Sequence, residues 1–216
     1  MENKMRIAVE LNNIVRDYNS QVLKYYLKGY NPSFDDETVD LKCTDIMNVL
    51  PFKSKAEKKT FKEIDYPYEL FGCARPVSKH LHVNLSDWLE DNPNVEVIYF
   101  TIGESDLMIQ STYFFLSKGS RVKTMMFLKE PKEIWDFCDV VVTLNKEIVE
   151  SKPNDKKVIV IKRSDNEDLQ KQADVCYTKF IDMLSDEELK NKLILSNKKT
   201  SYIKKIKNKI NKLWMK

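Results

Sequence analysis

Glycine is scarce in this chain, four in 216 residues. None of the four falls in a G-x-G-x-x-G or G-x-x-x-x-G-K pattern. A glycine-rich dinucleotide turn and a P-loop are therefore excluded. Histidine is scarcer still. His80 and His82 lie two apart on an expected helix, where residues i and i+2 do not share a face. The four cysteines, Cys43, Cys73, Cys138 and Cys176, form no C-x-x-C and have no histidine nearby, so no zinc site is expected. No apolar run reaches 18 residues, so no membrane span is expected. The start, Met1-Glu2-Asn3-Lys4, lacks the apolar stretch of a signal peptide. The chain is thus expected to stay where it is made, in a cytoplasm, and to leave its thiols unbridged. Acid is missing from Lys190 onward, where ten lysines stand alone. The preceding body keeps 26 basic residues against 33 acidic ones, so an acidic body carries a basic end.

What is present suits one soluble domain, or one domain with an insertion: 42% hydrophobic, 11% aromatic and 32% charged residues. Short β-branched runs recur at Arg6–Leu11, Val95–Thr101, Val122–Leu128, Asp139–Thr143 and Val158–Ile161. Several lack polar alternation, as strands buried on both faces do. Helical segments are expected between most of them. Leu107–Lys118 stops at Gly119. Pro131–Phe137 opens on a proline that a first helical turn tolerates. Asn145–Glu150 ends before Lys152-Pro153. Strand alternating with helix predicts an α/β fold: a three-layer, Rossmann-like parallel sheet.

The first interval is longer. About 80 residues separate the first two runs, with helices expected at Asn19–Lys28 and Val77–Glu90. A structureless loop of that length is improbable in a compact domain, so residues 29–76 are expected to form a small, mostly helical cap. The core is then 1–28 plus 77–195. Residues 196–216 form a basic amphipathic helix, with Ile203, Ile206, Ile210 and Leu213 at helical spacing, Trp214 beside them, and lysines such as Lys204 and Lys205 opposite. Such a helix can dock on its own body or on a partner chain. A membrane surface or nucleic acid is the further reading.

In a parallel sheet, ligands bind beyond the carboxyl ends of the strands. Glu10 and Asn12 stand there after the first run, Thr101 after the second, and Thr143 and Asn145 after the fourth. An apolar strand ending in two spaced acids, an inserted cap, a strand ending in Thr or Ser, a lysine and a strand ending in more acids is the order of the haloacid dehalogenase superfamily of phosphohydrolases, which this chain resembles with Glu10 and Asn12 in the place of the first two acids. The stretches EIDYPYELFGCARPV, STYFFLSKG and IWDFCDVVVTLNKEIVESKP are similar to HAD-like, deoxyribonucleotidase-like proteins of bacteriophages of the crAss-like group. The resemblance spans roughly residues 6–161.

That resemblance implies a nucleophilic Asp at the place of Glu10 and an acid/base Asp at Asn12. It also implies a phosphate-binding hydroxyl at Thr101, a lysine at Lys132 (or Lys129), and Mg²⁺-holding acids near Thr143 and Asn145. The departures matter chemically. Glu10 carries its carboxylate on an arm one methylene longer, and a displacement of about 1 Å can cost roughly 10²-fold. The amide of Asn12 cannot shuttle a proton, help typically worth about 10²–10⁴-fold. After Thr143, no acid appears until Glu147. Local structural roles also suit these residues: Asn12-Asn13 fits a tight turn, and Thr101 or Ser105 fits a helix cap. The expected function is a catalytically degenerate HAD-like protein that binds other protein subunits, as a structural component of a phage particle such as a tail or connector. Nucleic-acid contact through the lysine end is a further expectation, and no cofactor is expected. The alternative is a Mg²⁺-dependent, nucleotidase-like phosphohydrolase built on Glu10.

Overall fold

A computed structural model describes residues 4–188. The apolar runs close into one sheet. Its strands are β1 (Met5–Glu10), β2 (Val95–Ile102), β3 (Thr124–Leu128), β4 (Val140–Thr143), β5 (Lys157–Ile161) and β6 (Val175–Tyr177). All five pairings are parallel, in the order β3-β2-β1-β4-β5-β6. The sequence reading anticipated the first five strands to within two residues. It missed β6, three half-buried residues at the sheet edge, too few to print a pattern.

The helices are α1 (Tyr18–Gly29), α2 (Lys55–Thr60), α3 (Leu81–Asp91), α4 (Asp106–Ser117), α5 (Lys146–Glu150), α6 (Glu167–Gln172) and α7 (Phe180–Leu184). Successive strand residues point to opposite faces, and the core divides accordingly. Ile7, Val9 and Tyr99 join Leu85 and Trp88 of α3, Phe115 of α4 and Phe180 of α7 on one face. Ala8, Phe100 and Val141 join Ile148 of α5 and Leu169 of α6 on the other. A 3₁₀ turn at Pro131–Asp136 adds Ile134 and Trp135 to that second face. The result is three layers.

Residues 30–80 contain no strand. They form 3₁₀ turns at Asp36–Thr38 and Ile46–Asn48, then α2, then two single π turns at Phe61–Asp65 and Tyr68–Gly72. A third apolar cluster gathers them onto α1. Phe61 is its centre, ringed by Tyr30 at 4.9 Å, Phe52 at 5.3 Å and Tyr66 at 5.3 Å. Polar clamps then seat this segment over the sheet. Asn13, in the left-handed region at φ 60, donates to Asn19 Oδ1 (2.8 Å) and to the Thr44 carbonyl (3.0 Å). Asparagine tolerates that backbone better than most residues. Asn19 donates in turn to the Cys43 carbonyl (2.8 Å). Thr44 donates its N–H and its hydroxyl to Asp165 beyond β5, at 2.8 and 2.7 Å.

The four cysteines are free thiols, and among the described residues no helix is long and apolar enough to cross a membrane. The expected terminal helix, with Ile203, Ile206, Ile210, Leu213 and Trp214, lies outside the described residues.

Truncating the ring at the centre of the third cluster tests whether it holds the segment. Phe61→Ala is expected to cost about 3–5 kcal/mol, read as a lower midpoint in denaturant unfolding. A loss below about 1 kcal/mol would mean that the clamps at Asn13 and Thr44 suffice.

Candidate functional site

The strand order reverses at β1. From there the chain builds outward through β2 and β3 on one side, and through β4, β5 and β6 on the other. The crevice outside the carboxyl ends at such a switch point is where ligands bind in open α/β sheets. Here a pocket of about 440 Å³ opens there, between the strand ends and the segment that follows α1. Its floor includes Glu10, Asn12 and Asn145, its side includes Asp45 and Phe71, and Lys55, Lys58, Lys59 and Lys62 of the helical segment line the opposite wall.

Glu10 ends β1 and reaches across to β4. Its Oε2 accepts the Thr143 hydroxyl at 2.6 Å and the Leu144 N–H at 2.9 Å. Burial pushes its pKa above the ordinary 4.5, the hydrogen bonds from Thr143, Leu144 and Asn145 pull it back, and nearby Asp45 adds to the rise. The longer arm of Glu10 spans the switch point.

Asn12 is held differently. Its Oδ1 accepts both Nε (2.9 Å) and Nη2 (2.6 Å) of Arg16. Arg16 is fully buried. Nη2 also donates to Glu104 Oε1 (2.9 Å), and Nη1 donates to the Phe71 carbonyl (3.1 Å) and to Thr112 Oγ1 (2.7 Å). The Thr112 hydroxyl donates in turn to Glu104 Oε2 at 2.9 Å. The guanidinium lies 4.8 Å from the Phe71 ring centre and 5.7 Å from that of Phe115. Burial pulls the Arg16 pKa down and Glu104 pulls it back up; an arginine stays charged in either case.

Of the five positions singled out from sequence, Glu10, Asn12 and Asn145 meet at the pocket. Asn145 caps α5, its Oδ1 accepting from the Ile148 N–H at 3.2 Å. Thr101 is buried at the end of β2, and its hydroxyl has no hydrogen-bond partner among the described residues. Lys132 is exposed on the 3₁₀ turn before β4 and does not line the pocket; a lysine there extends into solvent, because Ile134 and Trp135 take the inward positions of that turn. Asp17 caps α1 by accepting from the Ser20 N–H. Sequence reasoning missed Arg16 and the lysines of α2. A lone arginine between Val15 and Asp17, just after an apolar run, was the available signal.

The resemblance noted in the sequence implies Mg²⁺ at this place, held by carboxylates. The donor set does not fit one. Asn12 and Asn145 are amides, and their side-chain oxygens are already engaged by Arg16 and Ile148. Glu104 is neutralised by Arg16 at 2.9 Å. An ion on the Asn12 oxygen would adjoin a guanidinium. Among the described residues no group of three His, Cys, Asp or Glu side chains could hold a metal.

No protein-family model matches the chain, and no curated protein matches its sequence. Solved structures do match the fold. A haloacid dehalogenase-like hydrolase from Burkholderia xenovorans superposes with a TM-score of 0.53 at 9% identity, over 86% of this chain and 97% of that one. A haloacid dehalogenase-like family hydrolase from Streptococcus pneumoniae gives 0.52 at 12% identity, over 86% and 99%. A dehalogenase bearing an intermediate complex gives 0.50 at 13%, over 85% and 96%. At such identities the likeness shows the fold: the chain has a HAD-like hydrolase fold.

The geometry makes two predictions. The folded state holds the Glu10 proton more tightly than the unfolded one. Its ionised form therefore costs stability above the raised pKa and costs none below pH 4.5. Glu10→Gln is expected to raise Tm at about pH 8 by roughly a few degrees, a gain that fades as pH falls toward 4.5, followed by thermal scans across pH. Equal gains at all pH values would contradict it. Arg16→Met leaves Glu104 buried without its partner and is expected to cost about 3–5 kcal/mol. Arg16→Met with Glu104→Gln is expected to recover a large part, as a double-mutant cycle would measure.

Proposed function

We propose that the protein binds a small anionic molecule in the pocket at the switch point, and that it does not perform magnesium-dependent phosphoryl transfer. The composition of the pocket carries this reading. One wall presents lysines, while the floor has an amide locked onto a buried arginine where an acid–base carboxyl would be needed. A volume of about 440 Å³ lies in the range of small-molecule sites. On this reading the segment over the sheet is a cap that closes the ligand in. The protein acts by binding, which keeps the catalytically degenerate role expected from the sequence. A phage setting, and partner contact through the lysine-rich end, rest on the sequence alone.

Glu10 supports a second reading, hydrolysis. It is a carboxyl with a raised pKa in a pocket, a combination that marks many catalytic acids and bases. The solved structures of like fold are named as hydrolases and dehalogenases.

Two measurements separate these readings. Inorganic phosphate is expected to bind by calorimetry and to raise Tm, with affinity at least tenfold weaker in Lys55→Gln/Lys58→Gln. Phosphate monoesters and short halogenated carboxylates, with and without Mg²⁺, are expected to show no turnover above that of Glu10→Gln. Turnover lost in Glu10→Gln would establish the second reading, and phosphate affinity indifferent to the lysines would remove the first.

A further inference from the structure

The charges around the pocket do not cancel locally. On the wall formed by the helical segment, Lys59 and Lys62 share Glu63, at 3.8 and 3.9 Å. Lys55 and Lys58 have no carboxylate partner among the described residues, and the Nζ of Lys58 donates to the neutral Asn48 Oδ1 at 2.8 Å. On the sheet side, Glu104 is spent on Arg16. Glu10 accepts only from a hydroxyl and backbone N–H groups among the described residues, and Asp45, which belongs to the helical segment itself, accepts only from the Met47 N–H at 3.0 Å. Neither carboxylate has a cationic partner among the described residues, and both line the pocket. Among the described residues no ion pair joins Lys55 or Lys58 to Glu10 or Asp45. The apolar surfaces of Tyr18, Phe71 and Met108 also line the pocket.

We infer that the ligand is dipolar: a phosphate or carboxylate that meets Lys55 and Lys58, joined through a short apolar spacer to an amino group that meets Glu10 and Asp45. The inference rests on the anion-binding reading above and names the other end of its ligand. A simple anion would satisfy the lysines and leave Glu10 and Asp45 without a cation. An ammonium that meets those carboxylates adds charge-assisted hydrogen bonds. The spacer has aromatic and thioether surface to lie on, and 440 Å³ admits a metabolite-sized molecule, not a macromolecule.

A matched set of probes tests this by calorimetry on the full chain: 4-aminobutyl phosphate, butyl phosphate and butylamine. The dipolar probe is expected to bind at least tenfold more tightly than either of the others. Glu10→Gln and Asp45→Asn should each reduce that advantage several-fold without weakening butyl phosphate. Lys55→Gln/Lys58→Gln should weaken both phosphates. If butyl phosphate binds as well as 4-aminobutyl phosphate, the dipolar inference fails and the anion-binding reading stands. If only butylamine binds, the anion-binding reading fails with it. Lack of binding by all three at millimolar concentration overturns both. Because the central comparison uses the unaltered protein, it does not depend on any variant folding.

Discussion

A guanidinium buried without exposure is the constraint around which the switch point is organised. Arginine has five N–H donors and no acceptor. In Arg16 each of the five is used: Nε on Asn12, Nη1 on Phe71 and Thr112, Nη2 on Asn12 and Glu104. Those partners come from four different places in the chain: the turn after β1, the second π turn, α4 and the loop after β2. A buried ion pair is weak evidence of stability, because desolvation offsets much of the attraction. Its geometric effect is clearer. A planar fork with five satisfied donors permits one arrangement of the elements that supply its acceptors, so Arg16 sets how the helical segment meets the sheet. The π turn at Tyr68–Gly72 is part of that demand, since it delivers the Phe71 carbonyl to Nη1.

The same cation gives a physical reason for the amide at position 12. Glu104 already neutralises Arg16. A carboxylate at 12 would place a second negative charge on one guanidinium that Glu104 already balances. An amide offers the same acceptor oxygen at no net charge. The residue that would have moved a proton is thereby turned into a structural acceptor. With Arg16 in place, Asn12 completes a closed network, and Glu10 is the one floor carboxylate left with an unbalanced charge beside Asp45.

The fold was legible because its signal is redundant. Five strands print as short apolar runs, several of them without polar alternation, and their spacing by helices predicts a parallel sheet. Asn12-Asn13 read as a tight turn, and Asn13 has the positive φ that a turn of this kind uses. The site was legible only in part. Position along the chain brought Glu10, Asn12 and Asn145 to the strand ends, because strand ends follow from strand runs. It could not place Lys132, since a 3₁₀ turn decides which side chains face inward. Nor could it single out Lys55 and Lys58 among the many lysines of the chain, because their position depends on how α2 is hung over the sheet by contacts distant in sequence. Arg16 shows the same limit. Its partners lie 4 to 96 residues away, and a single charged residue after an apolar run looks like the start of a helix.

These features bear on one another through charge. The Arg16 network is internally neutral and saturated, so it contributes rigidity and no unspent binding capacity. The unspent capacity lies just outside it, in two lysines that have no carboxylate partner and two carboxylates that have no cation among the described residues. Leaving charges in that state costs folding stability, most directly at Glu10, whose ionised form burial disfavours. Simple repacking could relieve the cost, for example by an amide at 10 as at 12. The position keeps a carboxyl instead, held at the pocket floor by the Thr143 hydroxyl and the Leu144 N–H. A charge set in place before a ligand arrives is how a site is preorganised, since the reorganisation that a ligand would otherwise have to drive has been made during folding. The saturated network and the unsaturated pocket are neighbours at the switch point: Asn12 and Glu104 of the Arg16 network line the same pocket as Glu10 and Asp45.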